Sequence, residues 1–252
     1  MAIHKSTKGY EGGAGDYVAG RPGYPPEAAA WLVDVLKVGP GSRTLEVGAG
    51  TGKFLPLLLG CGGEIVAVEP VAAMREQLTA GFPQVEALAG TAEAIPLPDA
   101  SVDAVVCAQA FHWFATAAAV AEMRRVLKPG GVLGLIWNVR DESVPWVAEL
   151  STITDPWEGD TPRYRTGAWR SAFPAPGFEF IGERHARNDH VGGAEQVVVK
   201  RTTSVSFIAA LPQAQREAVE RQVRALIART PELAGDQVAF PYETAMFAYR
   251  RV

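Results

Sequence analysis

Cysteine is scarce in this sequence, with two residues in 252, Cys61 and Cys107, and no Cys-x-x-Cys pair. A disulfide framework and a cysteine-rich zinc site are therefore excluded as the basis of the fold. We expect both thiols to be buried in the core and no metal to be bound. So little cysteine is typical of a reduced, cytoplasmic protein.

Long apolar runs and an excess of basic residues are also missing. No segment approaches the ~18 apolar residues of a membrane span, and no apolar run follows the charges of the first residues, so they do not resemble a secretory signal. The formal net charge is −4, which gives no bulk electrostatic reason to bind nucleic acid or an acidic membrane. We therefore expect neither kind of partner.

The chain does have the material for one sizeable core, because 48% of its residues are hydrophobic. Strand-like apolar runs alternate with helical patterns, which predicts an α/β fold with a doubly wound, mostly parallel sheet. We expect a single domain over residues 1–252. Residues 1–25 are predicted to be a mobile leader, and segments 140–176 and about 200–235 to be elements on the substrate side.

A glycine-rich turn is the most informative stretch. Gly48, Gly50 and Gly52 alternate between a strand-like and a helix-like run, where glycine lets the backbone turn tightly and approach a ligand closely. The dinucleotide fingerprint G-x-G-x-x-G fails, because Lys53 occupies the third glycine position. The phosphate loop G-x-x-x-x-G-K-[ST] also fails, at its first glycine and at its hydroxyl position.

Two carboxylates flank this turn. Glu46 precedes it, and Glu69 ends the next apolar run, where an acid would hold a ribose diol. A carboxylate before the turn would repel a pyrophosphate but attract an ammonium group. The pattern therefore predicts a ligand with a ribose and a cationic amino-acid end, and without phosphate.

Four segments carry a family resemblance. Leu45-Glu-Val-Gly-Ala-Gly-Thr-Gly52 resembles the first motif of the class I S-adenosylmethionine-dependent methyltransferases, and Ala67-Val-Glu-Pro70 resembles the second. Residues 90–103 are similar to the adenine-binding loop and fourth strand, and 127–131 to the turn before the fifth strand. The resemblance implies a Rossmann-like methyltransferase fold with an antiparallel last strand, S-adenosylmethionine as cofactor and S-adenosylhomocysteine as product.

The resemblance also implies a set of cofactor contacts. Glu46 would lie near the amino end of the cofactor, with Gly48, Ala49 and Gly50 beneath it. Glu69 would hold the ribose, with Pro70 beside it, and Thr91, Ala92 and Glu93 would line the adenine. Many family members have Asp where Thr91 stands. Tyr17 to Pro25 resembles the leader of a small-molecule subgroup in which an arginine, here Arg21, reaches the carboxylate of the cofactor.

The segment after the fourth strand, Gln109-Ala-Phe-His-Trp-Phe114, resembles that of trans-aconitate and related small-acid methyltransferases. There Gln109 and Ala110 would touch the methionine part of the cofactor, while His112 and Trp113 would face the acceptor. Aromatic faces favour a sulfonium cation by about 0.5–2 kcal/mol. We also assign Tyr17, Asn138 and Arg140 to the substrate side, and His112 is a candidate general base if the acceptor is a phenol or an amine.

The predicted reaction is transfer of a methyl group to a small-molecule acceptor, in the first place an oxygen of a small carboxylic acid. A carboxylate is ionised at neutral pH and needs no base. One alternative is a non-catalytic binder of S-adenosylmethionine or another nucleoside, since methyl transfer requires no protein nucleophile. Another, a nicotinamide oxidoreductase, is disfavoured by the glycine spacing.

Overall fold

The computed structural model describes residues 21–252. Most of the predicted leader, including Tyr17, lies outside them. The helices and strands are α1 (Pro26–Asp34), β1 (Arg43–Val47), α2 (Leu55–Gly60), β2 (Glu64–Val68), α3 (Ala72–Gly81), β3 (Glu86–Leu88), β4 (Val102–Ala108), α4 (Ala117–Val126), β5 (Leu127–Arg140), α5 (Pro145–Thr154), β6 (Phe178–Gly192), α6 (Arg201–Thr203), α7 (Ser206–Ala209), α8 (Gln213–Arg229) and β7 (Val238–Arg251).

The strands of the described chain form a seven-stranded sheet in the order β3-β2-β1-β4-β5-β7-β6. Strands β1 to β5 pair in parallel, with Leu45 opposite both Val66 and Val105. The last strands are antiparallel. The predicted α/β fold with a mostly parallel sheet is therefore confirmed, including the reversed direction at its end.

The start of the fifth strand differs from the sequence prediction. Residues 127–131 resemble a turn, but β5 already begins at Leu127, which pairs with Val102 of β4. The register shifts between Val102 and Ala104, and Gly130 has a φ of +78°. An irregular ladder of this kind accommodates the glycines inside the strand instead of before it.

Chain contacts divide the molecule into two compact units. The sheet unit contains residues 24–138, 162–186 and 244–252, and the helical unit contains the described residues 21–23, 139–161 and 187–243. The predicted segment 140–176 is thus split, since residues 162–176 belong to the sheet unit. Each unit has its own core.

The cores follow from the apolar periodicity of the elements. In the sheet unit, α1 and α2 pack Trp31, Leu32 and Leu55 onto the sheet, all nearly inaccessible to solvent. In the helical unit, the apolar face of α8 packs with α5 and with the start of β7. Burial of such side chains contributes roughly 1.5–3 kcal/mol each.

Candidate active site

The turn after β1 adopts a conformation that favours glycine. Gly48 and Gly50 have φ values of +73° and +59°, and the Gly48 amide donates a hydrogen bond to the Val68 carbonyl over 2.9 Å. A Cβ atom added at Gly48 would lie 2.9 Å from Ala110 Cβ, whereas a Cβ at Gly50 would meet nothing within 4 Å. Gly48 is therefore required by packing inside the protein, while Gly50 borders open space.

Glu69 braces this turn. Its carboxylate accepts hydrogen bonds of 2.8 Å from the backbone amides of Gly50 and Val71, and Arg75 donates to its backbone carbonyl. Burial raises the pKa of Glu69, and the two amide hydrogen bonds and the charge of Arg75 oppose that rise. The predicted ribose residue thus also holds the glycine turn in shape. Pro70, which follows it, is exposed.

Glu46 lies within the buried part of β1. Its side chain is almost inaccessible, and its Oε2 atom has no hydrogen-bond partner in residues 21–252. Burial, and secondly the charge of Glu69, raises the pKa of Glu46 well above its usual value. A cationic group placed beside Oε2 would restore the ionised form, which is the property expected of a residue that faces an ammonium group.

The predicted adenine-binding residues lie on a tight loop after β3. The Ala94 amide donates to the Thr91 carbonyl over 3.1 Å, Ala92 is buried, and Thr91 and Glu93 are partly exposed. No described contact joins Thr91 or Glu93 to the glycine turn. These residues therefore form a tight loop, and its role toward adenine stays a prediction.

Sequence reasoning missed the residue that fixes this loop. Arg125 of α4 donates to the carbonyls of Ile95 and Leu97 over 2.9 Å and 2.8 Å. It also pairs with Asp99 and Glu122. No local pattern around residue 125 indicates this role, because the carbonyls of Ile95 and Leu97 lie 30 and 28 residues earlier in the chain.

The segment after β4 packs against the glycine turn. Gln109 has a φ of +57°, which is unusual for a residue other than glycine, and its amide donates to the Ile136 carbonyl. The ideal Cβ position of Gly48 lies 2.9 Å from Ala110 and 3.1 Å from a ring carbon of Phe114. Ala110, which the sequence analysis assigned to the methionine part of the cofactor, thus lies against the first motif. Strained backbone of this kind is concentrated at functional sites.

His112 is held by a tryptophan that the sequence analysis did not consider. The Trp137 Nε1 group donates a hydrogen bond of 3.0 Å to His112 Nδ1. Because an indole nitrogen can only donate, the neutral imidazole must carry its proton on Nε2. In this tautomer Nε2 carries the proton, so it can donate a hydrogen bond but cannot take up a proton.

Aromatic side chains surround Trp137 in the sheet unit. Its ring lies 4.7 Å from that of Trp169 and 5.0 Å from that of Tyr164, centroid to centroid. Trp137 and Trp169 are almost fully buried, so both stabilise the unit by packing. Trp113 lies on a single turn of 3-10 helix over residues 111–113 and remains partly exposed.

The remaining predicted residues fall into both units. Asn138 lies at the end of the sheet-unit part of β5, where its Oδ1 accepts a 2.6 Å hydrogen bond from the buried Thr244 hydroxyl. Arg140 and Arg21 belong to the helical unit. Arg140 stacks over the ring of Phe240, and Arg21 donates to the Ser204 carbonyl. The roles of Arg21 toward the cofactor and of Arg140 toward the acceptor stay predictions.

Cys107 is fully buried and Cys61 partly buried. Within residues 21–252 there is no group of three or more His, Cys, Asp or Glu side chains suited to hold a metal ion. No helix in that range is long and apolar enough to span a membrane.

Comparison with known proteins agrees with this geometry. Residues 45–135 match the model of a methyltransferase domain. A methyltransferase-like protein of uncharacterized function from Schizosaccharomyces pombe is 38% identical over 98% of this chain and 97% of its own length. An uncharacterized methyltransferase from Mycobacterium tuberculosis is 42% identical over 91% of this chain and 90% of its own.

Solved structures show the same fold. A protein described as a type II methyltransferase from Anaeromyxobacter dehalogenans superposes with a TM-score of 0.67 at 24% identity, covering 92% of this chain and 97% of that one. The geranyl diphosphate C-methyltransferase of Streptomyces coelicolor, solved with S-adenosyl-L-homocysteine, superposes with a TM-score of 0.52 at 15% identity, covering 90% and 79%.

The chain belongs to the class I S-adenosylmethionine-dependent methyltransferases. It is accordingly an enzyme that uses S-adenosylmethionine as methyl donor. The nicotinamide and non-catalytic alternatives are set aside by this membership. The structure fits the cofactor at two points: Glu46 has a buried oxygen without a partner, and Gly50 leaves space that a side chain would fill.

Proposed function

We propose that this protein methylates an oxygen of a small carboxylic acid and releases S-adenosylhomocysteine. The observation that carries the choice of acceptor is the hydrogen bond from Trp137 to His112. It leaves the proton of the neutral ring on Nε2 and makes that nitrogen a donor, which suits an acceptor that arrives ionised. A phenol or amine would need a base to remove its proton.

The cofactor supplies a methyl group already activated on a sulfonium. The protein then has to bind, orient and exclude water. In this proposal Glu46 receives the amino group of the cofactor, Gly48, Ala49 and Gly50 lie beneath it, and Glu69 and Pro70 border the ribose. Thr91, Ala92 and Glu93 border the adenine, Gln109 and Ala110 the methionine part, and Arg21 the carboxylate.

The acceptor side is proposed from the same resemblance. Trp113, Asn138, Arg140 and Tyr17 would contact the acceptor, and the Nε2–H group of His112 would donate to an oxygen that is not methylated. An attacking carboxylate oxygen forms the new C–O bond while the C–S bond breaks and its electron pair stays on sulfur. No proton is transferred in this step, so charge and atoms balance without a base.

The test is a methyl-transfer assay with radiolabelled S-adenosylmethionine and separate pools of small acids, phenols and amines. We expect label in the acid pool, in a form that alkali converts to volatile methanol, since methyl esters hydrolyse in base. Glu76→Ala, an exposed change on α3, is the control for unaltered activity. Alkali-stable label confined to the phenol or amine pool would refute the choice of acceptor.

A further inference from the structure

Arg201 lies over the ring of Tyr242 in the helical unit, and the positive charges of Arg21 and Arg140 act on it. Arg201 begins α6 directly after a π-helical turn, Glu195–Lys200, and such turns are frequent at functional sites. Although Arg201 as a residue is partly exposed, its Nε and Nη1 atoms each have less than 1 Å² of accessible surface. Neither atom has a hydrogen-bond partner in residues 21–252.

A chain of contacts links the members of this arginine cluster (Arg21, Arg140, Arg201 and Tyr242). The guanidinium carbon of Arg201 lies 6.0 Å from the centroid of the Tyr242 ring. That ring lies 4.8 Å from Phe240, over which Arg140 stacks at 5.7 Å. On the other side, Arg21 donates to the carbonyl of Ser204, whose hydroxyl donates to the Arg201 carbonyl.

The charge of Arg201 is poorly compensated by the described protein. Burial, together with the positive charges of Arg21 and Arg140, lowers the pKa of Arg201 to about 10 despite the opposing effect of Tyr242. No carboxylate is among the described groups that act on it. Tyr242 is itself buried, and its hydroxyl makes no hydrogen bond of normal geometry with a described residue.

At neutral pH this leaves a cationic guanidinium with two hidden donors beside an unsatisfied hydroxyl. Burying a charge without a counter-charge is costly, and a buried donor without an acceptor is costly as well. An anion with several oxygens would supply both the counter-charge and the acceptors. The cluster is therefore built like a binding site whose ligand is negatively charged.

We propose that Arg201 and Tyr242 form a carboxylate-binding site within the helical unit, and that its ligand is a small organic acid. The guanidinium of Arg201 pairs with the carboxylate, and its two buried N–H donors and the Tyr242 hydroxyl donate to the carboxylate oxygens.

The first experiment measures ligand binding by thermal unfolding of the full chain. Succinate serves as the probe, succinamide as its uncharged counterpart, and sulfate as a simple inorganic anion. We expect succinate at about a hundred times its Kd to raise the unfolding midpoint by roughly 5 °C, with no shift from succinamide. A shift from succinamide as large as that from succinate would overturn the proposal, and so would a shift from sulfate alone.

Substitutions test which residues are responsible for the rise in unfolding midpoint caused by succinate. Arg201→Met should abolish the succinate shift while leaving the midpoint of the free protein equal to or above that of the wild type, because an uncompensated charge is removed. Arg221→Met is the matched control, since Arg221 is exposed on α8 of the same unit; it should respond like the wild type. Tyr242→Phe should weaken succinate binding about threefold to tenfold. This variant replaces Arg201→Met in the experiment if Arg201→Met does not fold.

S-adenosylhomocysteine separates this proposal from a role toward the cofactor. Its affinity, measured by calorimetry, should be the same for the wild type and Arg201→Met. If the variant loses affinity for S-adenosylhomocysteine and keeps its response to succinate, the cluster binds the cofactor's carboxylate and the proposal is wrong.

The two proposals also fail separately. Succinate binding that depends on Arg201, with no acid methylated, would refute the proposed function alone. Acid methylation by a protein whose unfolding midpoint succinate does not raise would refute the carboxylate site alone.

Discussion

Trp137 Nε1 donates to His112 Nδ1 across 3.0 Å, linking the carboxyl end of β5 to the turn that follows β4. The hydrogen bond fixes both the orientation of the imidazole and its neutral tautomer. It also gives a buried indole its partner, which the N–H of a buried tryptophan usually finds.

Replacing His112 with Gln distinguishes a donor from a base. An amide keeps the ability to donate but cannot take up a proton, so we expect kcat to fall by no more than about tenfold. A general base contributes ~10²–10⁴-fold. Steady-state kinetics on the acid identified in the pool assay provide the measurement, and a loss of 100-fold or more would restore His112 as the base.

Two neighbouring glycines should respond differently to the same substitution. Gly48→Ala places a methyl group 2.9 Å from Ala110 Cβ at a positive φ, so it should lower the free energy of unfolding by about 2–4 kcal/mol. Gly50→Ala meets no protein atom within 4 Å and should cost only the ~1 kcal/mol of its backbone conformation.

The Gly48→Ala and Gly50→Ala variants also test where the cofactor binds. If the cofactor passes over Gly50, the added methyl group should weaken S-adenosylhomocysteine binding at least tenfold in a protein that remains folded. Urea unfolding and calorimetry on both variants supply the two readouts. Equal stability losses, or an unchanged affinity in Gly50→Ala, would contradict the assignment.

Glu69→Ala tests a residue with two roles. The sequence alone suggests that this change weakens cofactor binding much more than it lowers the melting temperature. The structure adds that Gly50 and Val71 would lose their acceptor, at about 1–3 kcal/mol for each buried amide. We therefore expect a midpoint lower by roughly 5–10 °C together with a large loss of S-adenosylhomocysteine affinity, whereas Glu76→Ala should change neither.

Glu46 should make stability depend on pH. Its pKa in the folded protein lies well above 4.5, so the folded state binds this proton more tightly than the unfolded state. The contribution of Glu46 to the free energy of unfolding therefore falls as pH rises above about 4.5. In Glu46→Gln the free energy of unfolding should not show this decrease. The variant should therefore become more stable than the wild type by roughly 1.4 kcal/mol for each pH unit, until the pH exceeds the pKa of Glu46 in the folded protein.

Urea unfolding between pH 5 and neutrality, at about half-unit steps, measures this difference. A constant gap between Glu46→Gln and the wild type would argue against a raised pKa. If an ammonium group of the cofactor lies beside Glu46, binding of S-adenosylhomocysteine should also release a proton in the wild type and none in the variant. Calorimetry in buffers of different ionisation enthalpy detects that release.

Local sequence signals were sufficient for the fold and for the family. The strand before Gly48, the failed phosphate-binding spacings and the acid at Glu69 all lie within about 25 residues. Each predicted feature is a turn or a strand end whose neighbours in space are also close in sequence. The antiparallel last strand was predicted from the family resemblance.

The contacts that the sequence analysis did not predict join residues that are far apart in the chain. The contact between Trp137 and His112 depends on the register of two adjacent strands. The hydrogen bonds from Arg125 to Ile95 and Leu97 depend on how α4 lies beside the loop after β3. The arginine cluster brings together side chains from four distant parts of the chain, at positions 21, 140, 201 and 242. Nothing in the composition around residue 201 indicates that its guanidinium lies beside Tyr242.

The helical unit is assembled from separate blocks of sequence, and this affects how such a protein can be re-engineered. Trp146 and Leu150 come from the first large block, and Val219, Phe240 and Tyr242 from the second, yet all five share one core. A single genetic crossover would transfer only one block and leave half of that core facing foreign side chains. Transfer of the helical unit between relatives therefore requires both blocks to be transplanted together, with the sheet unit retained as the host.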